Sequence, residues 1–190
     1  MTLKNYIKVY DDAIPLTCVS SILKTYNEKH FNAAGVLSPN GEGTVNKDIR
    51  DTYDYPLFQE SESLTDVHWC NLLGATFKNA INKYIKELNI LDCPWFSFSD
   101  IAILKYENKG FYKYHVDHAT TAPRTFSCIL LLNDDYEGGR LCFRNPDGSE
   151  EMEIESKSAR LIVWPSNFLY PHTVKPVTKG TRYSVVGWAI

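Results

Sequence analysis

His115-Val116-Asp117, with His172 and Arg182 further along, is where residue types and spacing in this chain could do chemistry. Alternate residues of a strand share a face, so His115 and Asp117 would project together while Val116 points away. Their Cα atoms would lie roughly 6–7 Å apart, close enough for two converging side chains to hold one ion. His172 would complete a set of two imidazoles and one carboxylate on one face of a metal. Such a facial set leaves the opposite positions open, as an Fe(II) centre that activates O₂ requires. Zinc or another divalent ion could take the same ligands in vitro, because divalent affinity alone selects poorly. His118 is a rival ligand, but it adjoins Asp117 and adjacent strand residues face opposite ways. It is therefore expected beside the ligand set or at the surface.

Arg182 offers a permanently charged, planar fork that can bond both oxygens of a carboxylate. In Arg182-Tyr183-Ser184 the arginine and the serine share a face and Tyr183 points away. A guanidinium and a hydroxyl side by side suit a terminal carboxylate, and Tyr106, in Lys105-Tyr106-Glu107, could add a phenolic hydrogen bond from a neighbouring strand.

The elements that must position these groups follow from the apolar pattern. Pro15 to Tyr26 carries Leu16, Val19, Ile22, Leu23 and Tyr26 at helical spacing, with Pro15 suited to the first turn. A longer helix is expected over about Leu64 to Leu88, with one apolar face and a polar face that includes Lys78, Asn79, Lys83 and Lys86. Between them, Asn32 to Phe58 is polar and rich in turn residues (Ser38-Pro39-Asn40-Gly41-Glu42-Gly43). A segment of this length with little periodicity is expected to be a lid, a binding loop or disordered. From Trp95 onward short β-rich runs take over, near 95–106, 111–117, 125–132, 140–144, 151–155, 160–164, 170–175 and 182–189. Turn residues separate several of them, notably Glu107 to Gly110, Asp134 to Gly139 and Asn145 to Gly148. About eight short strands with no helical pattern between them predict a mainly β fold, a two-sheet jelly roll (a double-stranded β-helix) buttressed on one outer face by the N-terminal helices.

With 190 residues, one domain can bury roughly 70% of the surface its unfolded chain exposes. No linker or repeat divides the chain, so a single domain is expected over 1–190, with helical support and a lid loop in 1–94 and the jelly-roll core in 95–190. The formal charge of −3 argues against nucleic acid as the default partner. No apolar leader or run of membrane-spanning length is present, which predicts no membrane partner and a cytoplasmic protein. The five cysteines, Cys18, Cys70, Cys93, Cys128 and Cys142, are scattered with no C-x-x-C pair, so most are expected to be small buried hydrophobes in a reducing compartment.

From Tyr106 to the C-terminus the chain resembles the prolyl 4-hydroxylase-like branch of the Fe(II)/2-oxoglutarate dioxygenases. The matching stretches are Tyr106 to Asp117, Arg124 to Asn133, Asp134 to Gly139, Trp164-Pro165, Pro171 to Arg182, and Trp188. The resemblance covers about residues 95–190. It implies His115, Asp117 and His172 as iron ligands and Arg182 as partner of the distal carboxylate of 2-oxoglutarate. It also implies Fe(II), 2-oxoglutarate and O₂ as reactants, with ascorbate as a further reductant. Many prolyl hydroxylases carry lysine where this chain has Arg182, and some relatives carry a cofactor-binding tyrosine where it has Leu131. Upstream, Asn46 to Thr52 resembles the family's mobile substrate loop, which makes Arg50 a candidate substrate contact, although a solvated loop arginine is the commoner fate.

The activity so implied is hydroxylation of a C–H bond coupled to decarboxylation of 2-oxoglutarate. A prolyl residue in a protein or peptide leads as substrate, by family analogy alone. A free amino acid or small metabolite, and a non-catalytic metal-binding jelly roll, are the alternatives. Trp95, Phe96, Trp164 and Tyr170 could line an aromatic pocket, although core packing more often explains aromatics on strands.

Overall fold

The computed structural model describes residues 3–37, 43–93, 96–149 and 151–190. Ser38 to Glu42 of the expected turn and Trp95 lie outside the described residues. The first half supplies β1 (Lys8–Tyr10), α1 (Leu16–Tyr26), β2 (Asn32–Ala33), β3 (Val36–Leu37), β4 (Gly43–Thr44), β5 (Arg50–Asp51), β6 (Tyr53–Leu57) and α2 (Leu64–Glu87). The second supplies β7 (Phe98–Tyr106), β8 (Phe111–His115), β9 (Phe126–Leu131), β10 (Glu137–Gly138), β11 (Leu141–Arg144) and β12 (Glu151–Ile154). It closes with β13 (Leu161–Pro165), β14 (His172–Val174), β15 (Val177–Lys179) and β16 (Arg182–Ala189).

Among the described residues these strands form two main antiparallel sheets. A seven-stranded sheet runs β1-β13-β9-β16-β7-β6-β2, and a five-stranded sheet runs β12-β11-β14-β8-β5. The eight expected strands and both expected helices are present within a few residues of their expected limits. No strand is expected before residue 95 from the sequence, yet β1, β2 and β6 extend the larger sheet and β5 extends the smaller one. Most of these are two or three residues long, too short for an alternation to register in sequence.

Alternation along the central strands makes two cores. Ile101, Ile103, Cys128, Leu130 and Val185 face outward and pack with Val19, Ile22, Leu73, Phe77 and Ile81 of the helices. Ala102, Leu104, Tyr106, Ile129, Leu131 and Val186 face inward and meet Leu141, Phe143 and Val174 of the other sheet. The helices thus buttress one sheet and leave the interior of the sandwich to the site. Close approach is needed at Gly187 of β16, where a Cβ would stand 2.6 Å from the ring of Phe77 on α2.

Helix α2 starts at Ser63, whose hydroxyl accepts from the Asp66 amide. Asp66 is itself buried and accepts from Tyr26 at 2.7 Å and Tyr55 at 3.0 Å, joining α1, β6 and α2. All five cysteines are free thiols; Cys70, Cys128 and Cys142 are buried, and Cys18 and Cys93 are partly so. No helix among the described residues is long and apolar enough to cross a membrane.

Candidate metal and carboxylate site

His115 ends β8 and His172 begins β14, and the two are direct cross-strand partners in the five-stranded sheet. Asp117 follows β8 by two residues. The pairing of His115 with His172, and the bend at Asp117 just past β8, bring the three side chains to one point, with their ligating atoms within 4.8 Å of one another. His115 Nε2 lies 3.5 Å from Asp117 Oδ1, and His172 Nε2 lies 3.4 Å from Asp117 Oδ2.

The other ring nitrogens fix the tautomers. His115 Nδ1 is 2.9 Å from the Lys113 carbonyl and His172 Nδ1 is 3.1 Å from the Tyr170 carbonyl. A carbonyl only accepts, so each Nδ1 carries the proton and each Nε2 keeps its lone pair for a cation. Burial, reinforced by His115 and opposed by Asp117, brings the His172 pKa down to about 4. Burial would raise the Asp117 carboxyl, but His172, His115 and the Ser127 hydroxyl hold it well below the usual carboxylate range. Two imidazoles able to present Nε2 lone pairs, and one carboxylate, are a fitting donor set for Fe(II).

Arg182 opens β16 opposite Tyr106 of β7. It is 1% exposed, with Nη1 donating to Ser184 Oγ at 2.8 Å. Its Nε and Nη2 are buried and have no hydrogen-bond partner among the described residues. An ionised guanidinium so placed is costly without an anion, and a carboxylate would complete it. Tyr106 lies alongside, its ring centre 5.0 Å from the guanidinium carbon, and Leu131 packs opposite Ser184 as part of the apolar interior. The Gly138-Gly139 turn has positive φ at both residues. A Cβ on Gly139 would come within 3.1 Å of Arg182 Cδ, so the turn lies directly against the arginine.

A cavity of about 410 Å³ includes the three converging residues. Leu104, Ile129, Val174 and Val186 line its apolar walls, and Tyr106 also faces it. At its rim Arg50 stacks over Tyr112, 4.7 Å from the ring centre, and Arg124 over Trp188 at 3.6 Å. Tyr112 in turn stacks on His115, with ring centres 3.5 Å apart. Arg50 is thus half-buried and bonded to the Gly35 carbonyl at 2.8 Å, which corrects the expectation of a solvated loop arginine. Gly35, Val36, Ile49 and Arg50, from the polar 32–58 segment, all border this cavity. His118 is exposed at the rim, with Nδ1 2.9 Å from the Arg124 carbonyl.

The aromatic residues around the cavity are Tyr106, Tyr112 and Trp188; for Phe96, Trp164 and Tyr170 the core-packing reading holds. Trp164 and Tyr170 are buried in the core between the sheets, and Phe96 packs with the helices. Sequence reasoning also missed Ser127, Ser166, Arg124 and Trp188. Trp188 alone carried a usable signal, since it continues the alternation Arg182, Ser184, Val186 along β16. A second group, Cys142, Glu151 and Glu153, also converges. Lys175 lies between its two carboxylates and pairs with both.

Residues 101–190 match the family model described as the 2OG-Fe(II) oxygenase superfamily. A PKHD-type hydroxylase of Synechococcus sp. (strain CC9902) is 36% identical over 115 residues, covering 55% of this chain and 50% of that protein. The chain spans about half the length of the curated relatives it matches, or less. A prolyl-4-hydroxylase of Pseudomonas putida superposes with a TM-score of 0.68 at 22% identity, over 96% of this chain and 91% of that one. A prolyl hydroxylase from Trichoplax adhaerens, solved with a hypoxia inducible factor peptide fragment, gives 0.73 at 16% identity over 98% and 84%. These two likenesses are of fold: the two-sheet core with its buttressing helices is that of known 2OG-Fe(II) oxygenases. Family model and hydroxylase relatives agree with that fold, and residues 101–190 are similar in sequence to the prolyl hydroxylase-like 2OG-Fe(II) oxygenases.

Proposed function

We propose that the protein is an Fe(II)- and 2-oxoglutarate-dependent dioxygenase that hydroxylates a C–H bond of a protein or peptide, with a prolyl residue as the first candidate. His115, Asp117 and His172 hold the iron in this reading, and Arg182, Ser184 and Tyr106 hold the cosubstrate. The observation that carries it is the pairing of two opposite needs within one sandwich. The triad turns two imidazole lone pairs and a carboxylate toward a cation, and the buried Arg182, with Nε and Nη2 unpartnered among the described residues, turns its donors toward an anion.

When bound, iron and 2-oxoglutarate supply the oxidising chemistry: the cosubstrate is decarboxylated to succinate and CO₂, and one oxygen atom of O₂ enters the substrate C–H bond. The protein's own residues bind, orient and exclude water. His115 and His172 present Nε2 because backbone carbonyls hold their Nδ1 protons. Ser127 sets the rotation of the Asp117 carboxylate through a 2.6 Å hydrogen bond. Arg182 and Ser184 offer paired donors to the far carboxylate of the cosubstrate, and Tyr106 adds a phenol. Leu104, Ile129, Val174 and Val186 keep the intervening wall dry. The substrate class rests on the names and folds of the relatives; no residue here reads proline by itself.

Anaerobic titration of the Fe(II)-loaded protein with 2-oxoglutarate, followed by visible absorption, tests the assignment. A charge-transfer band is expected in the wild type and not in His115→Ala. Stoichiometric iron with no band on adding 2-oxoglutarate would refute it. Succinate release stimulated by proline-containing peptides, and not by free amino acids, tests the substrate class.

A further inference from the structure

Resting on that reading of the site, we propose that the substrate is an extended polypeptide bearing a basic side chain near the oxidised residue, and that Asp54 recognises that base. The metal-bearing cavity does not end at its rim. A second basin of about 290 Å³ shares Arg50, Leu104, Arg124 and Trp188 with it. A third, of about 510 Å³, shares Phe58, Asp100 and Ile101 with the second and reaches Gly74 and Lys78 on α2. The three basins adjoin in succession, sharing wall residues from the triad past β6 and β7 to α2. A free amino acid would be held in the first basin and leave the other two empty, whereas an extended chain advancing about 3.3 Å per residue would follow all three.

The charge along these basins changes sign. Arg50 and Arg124 flank the triad, and Asp54 and Asp100 come next. Asp100 is bridged to Arg124 at 3.7 Å. The Asp54 carboxylate, half-buried in the second basin, has no hydrogen bond or ion pair among the described residues. Arg50, the basic group that acts on it, bonds the Gly35 carbonyl through Nη1 and stacks on the Tyr112 ring, and forms no ion pair with Asp54 among the described residues, although its own buried Nε has no partner there. A carboxylate partly stripped of water and left unpaired is costly unless a ligand completes it. Lysine or arginine would supply a charge-assisted hydrogen bond. Pro56 and Phe58 line the same basin and give the aliphatic stem of such a side chain an apolar floor.

The test uses the full chain, loaded with Fe(II) and 2-oxoglutarate under anaerobic conditions so that nothing turns over. The probes are labelled nine-residue peptides with blocked ends and one central proline in a Gly/Ser background. A single lysine is moved from four residues before the proline to four after it, and each peptide is matched by one with glutamine at that place. Binding is read by fluorescence anisotropy. At one or two placements the lysine peptide should bind about tenfold more tightly than its glutamine twin. Asp54→Asn should bring that ratio close to one, and Asp54→Lys should favour glutamate at the same placement. Equal binding of the twins at every placement, a preference that survives Asp54→Asn, or no peptide binding at all would overturn the proposal. Failure of the oxygenase reading looks different: no charge-transfer band and no succinate from the best-bound peptide, with the lysine preference intact.

Discussion

Ser127, on β9 of the larger sheet, donates to Oδ2 of Asp117, two residues past β8 of the smaller sheet, 2.6 Å across the interior. Its single proton is committed to the carboxylate, so Ser166, 2.7 Å away, must donate to Ser127 in turn. The same Oδ2 faces His172 Nε2, and Oδ1 faces His115 Nε2. The serine pair therefore sets which oxygen faces which imidazole. Ser127→Ala removes one hydroxyl without changing the fold and should weaken Fe(II) affinity by about 10- to 100-fold. Anaerobic competition with a chelator measures it, and wild-type affinity would mean that the carboxylate is held without this bond.

Arg182 sets stability against binding. Its buried Nε and Nη2 have no hydrogen-bond partner among the described residues, so removing the charge relieves its desolvation cost; replacing even a buried ion pair with hydrophobic residues is often neutral or stabilising by about 1–4 kcal/mol. Arg182→Met should therefore melt no lower than wild type without cosubstrate. It should bind 2-oxoglutarate at least about 30-fold more weakly, since losing one partner of a buried charge pair costs about 2–5 kcal/mol. Calorimetric titration and thermal melts of the same samples read both effects. A variant that melts well below wild type yet binds 2-oxoglutarate normally would reverse the assigned role.

What could be read from sequence here is what depends on local periodicity. Alternation places Arg182 and Ser184 on one face of β16, whereas the strand expected over 111–117 ends at His115, and it is the bend past β8 that buries Asp117 and leaves His118 exposed at the rim. The helices were legible because α1 and α2 each bury one face. What depends on chain segments far apart was not legible. Ser127 meets Asp117 only because two sheets face each other, and Arg124 finds Trp188 across 64 positions of sequence. Arg50 was legible as a candidate, but its burial follows from β5 joining β8 at Arg50↔Tyr112. A two-residue strand carries no period that would announce this.

Acid should destabilise the apo protein through His172. Burial, the largest cause, lowers its pKa in the folded state to about 4, from an ordinary histidine value of 6.5. The unfolded chain then binds more protons between these values, so stability is full above about pH 6.5 and falls as pH drops toward 4. Each pH unit crossed between them costs about 1.4 kcal/mol, so the loss reaches roughly 3 kcal/mol. His172→Gln should flatten that slope in urea unfolding of the apo protein between pH 7 and pH 4. An unchanged slope would place the acid sensitivity elsewhere.

Asp66 is the most consequential polar group away from the site. It is buried in the first turn of α2, where a carboxylate also suits the helix dipole, and it accepts from Tyr26 and Tyr55. Burial first, and the Asp66 carboxylate next, push the Tyr26 hydroxyl far above its usual pKa, so it stays a donor at any working pH. Asp66→Ala would leave the Tyr26 hydroxyl buried without its acceptor, and each such loss costs about 1–3 kcal/mol. A total near 3 kcal/mol is expected, seen as a lower urea midpoint with an unchanged m-value. In a Tyr26→Phe background the same substitution should cost clearly less, because one of the orphaned donors is already gone. Equal costs in the two backgrounds would show that the Tyr26–Asp66 bond contributes nothing to holding α1 against α2.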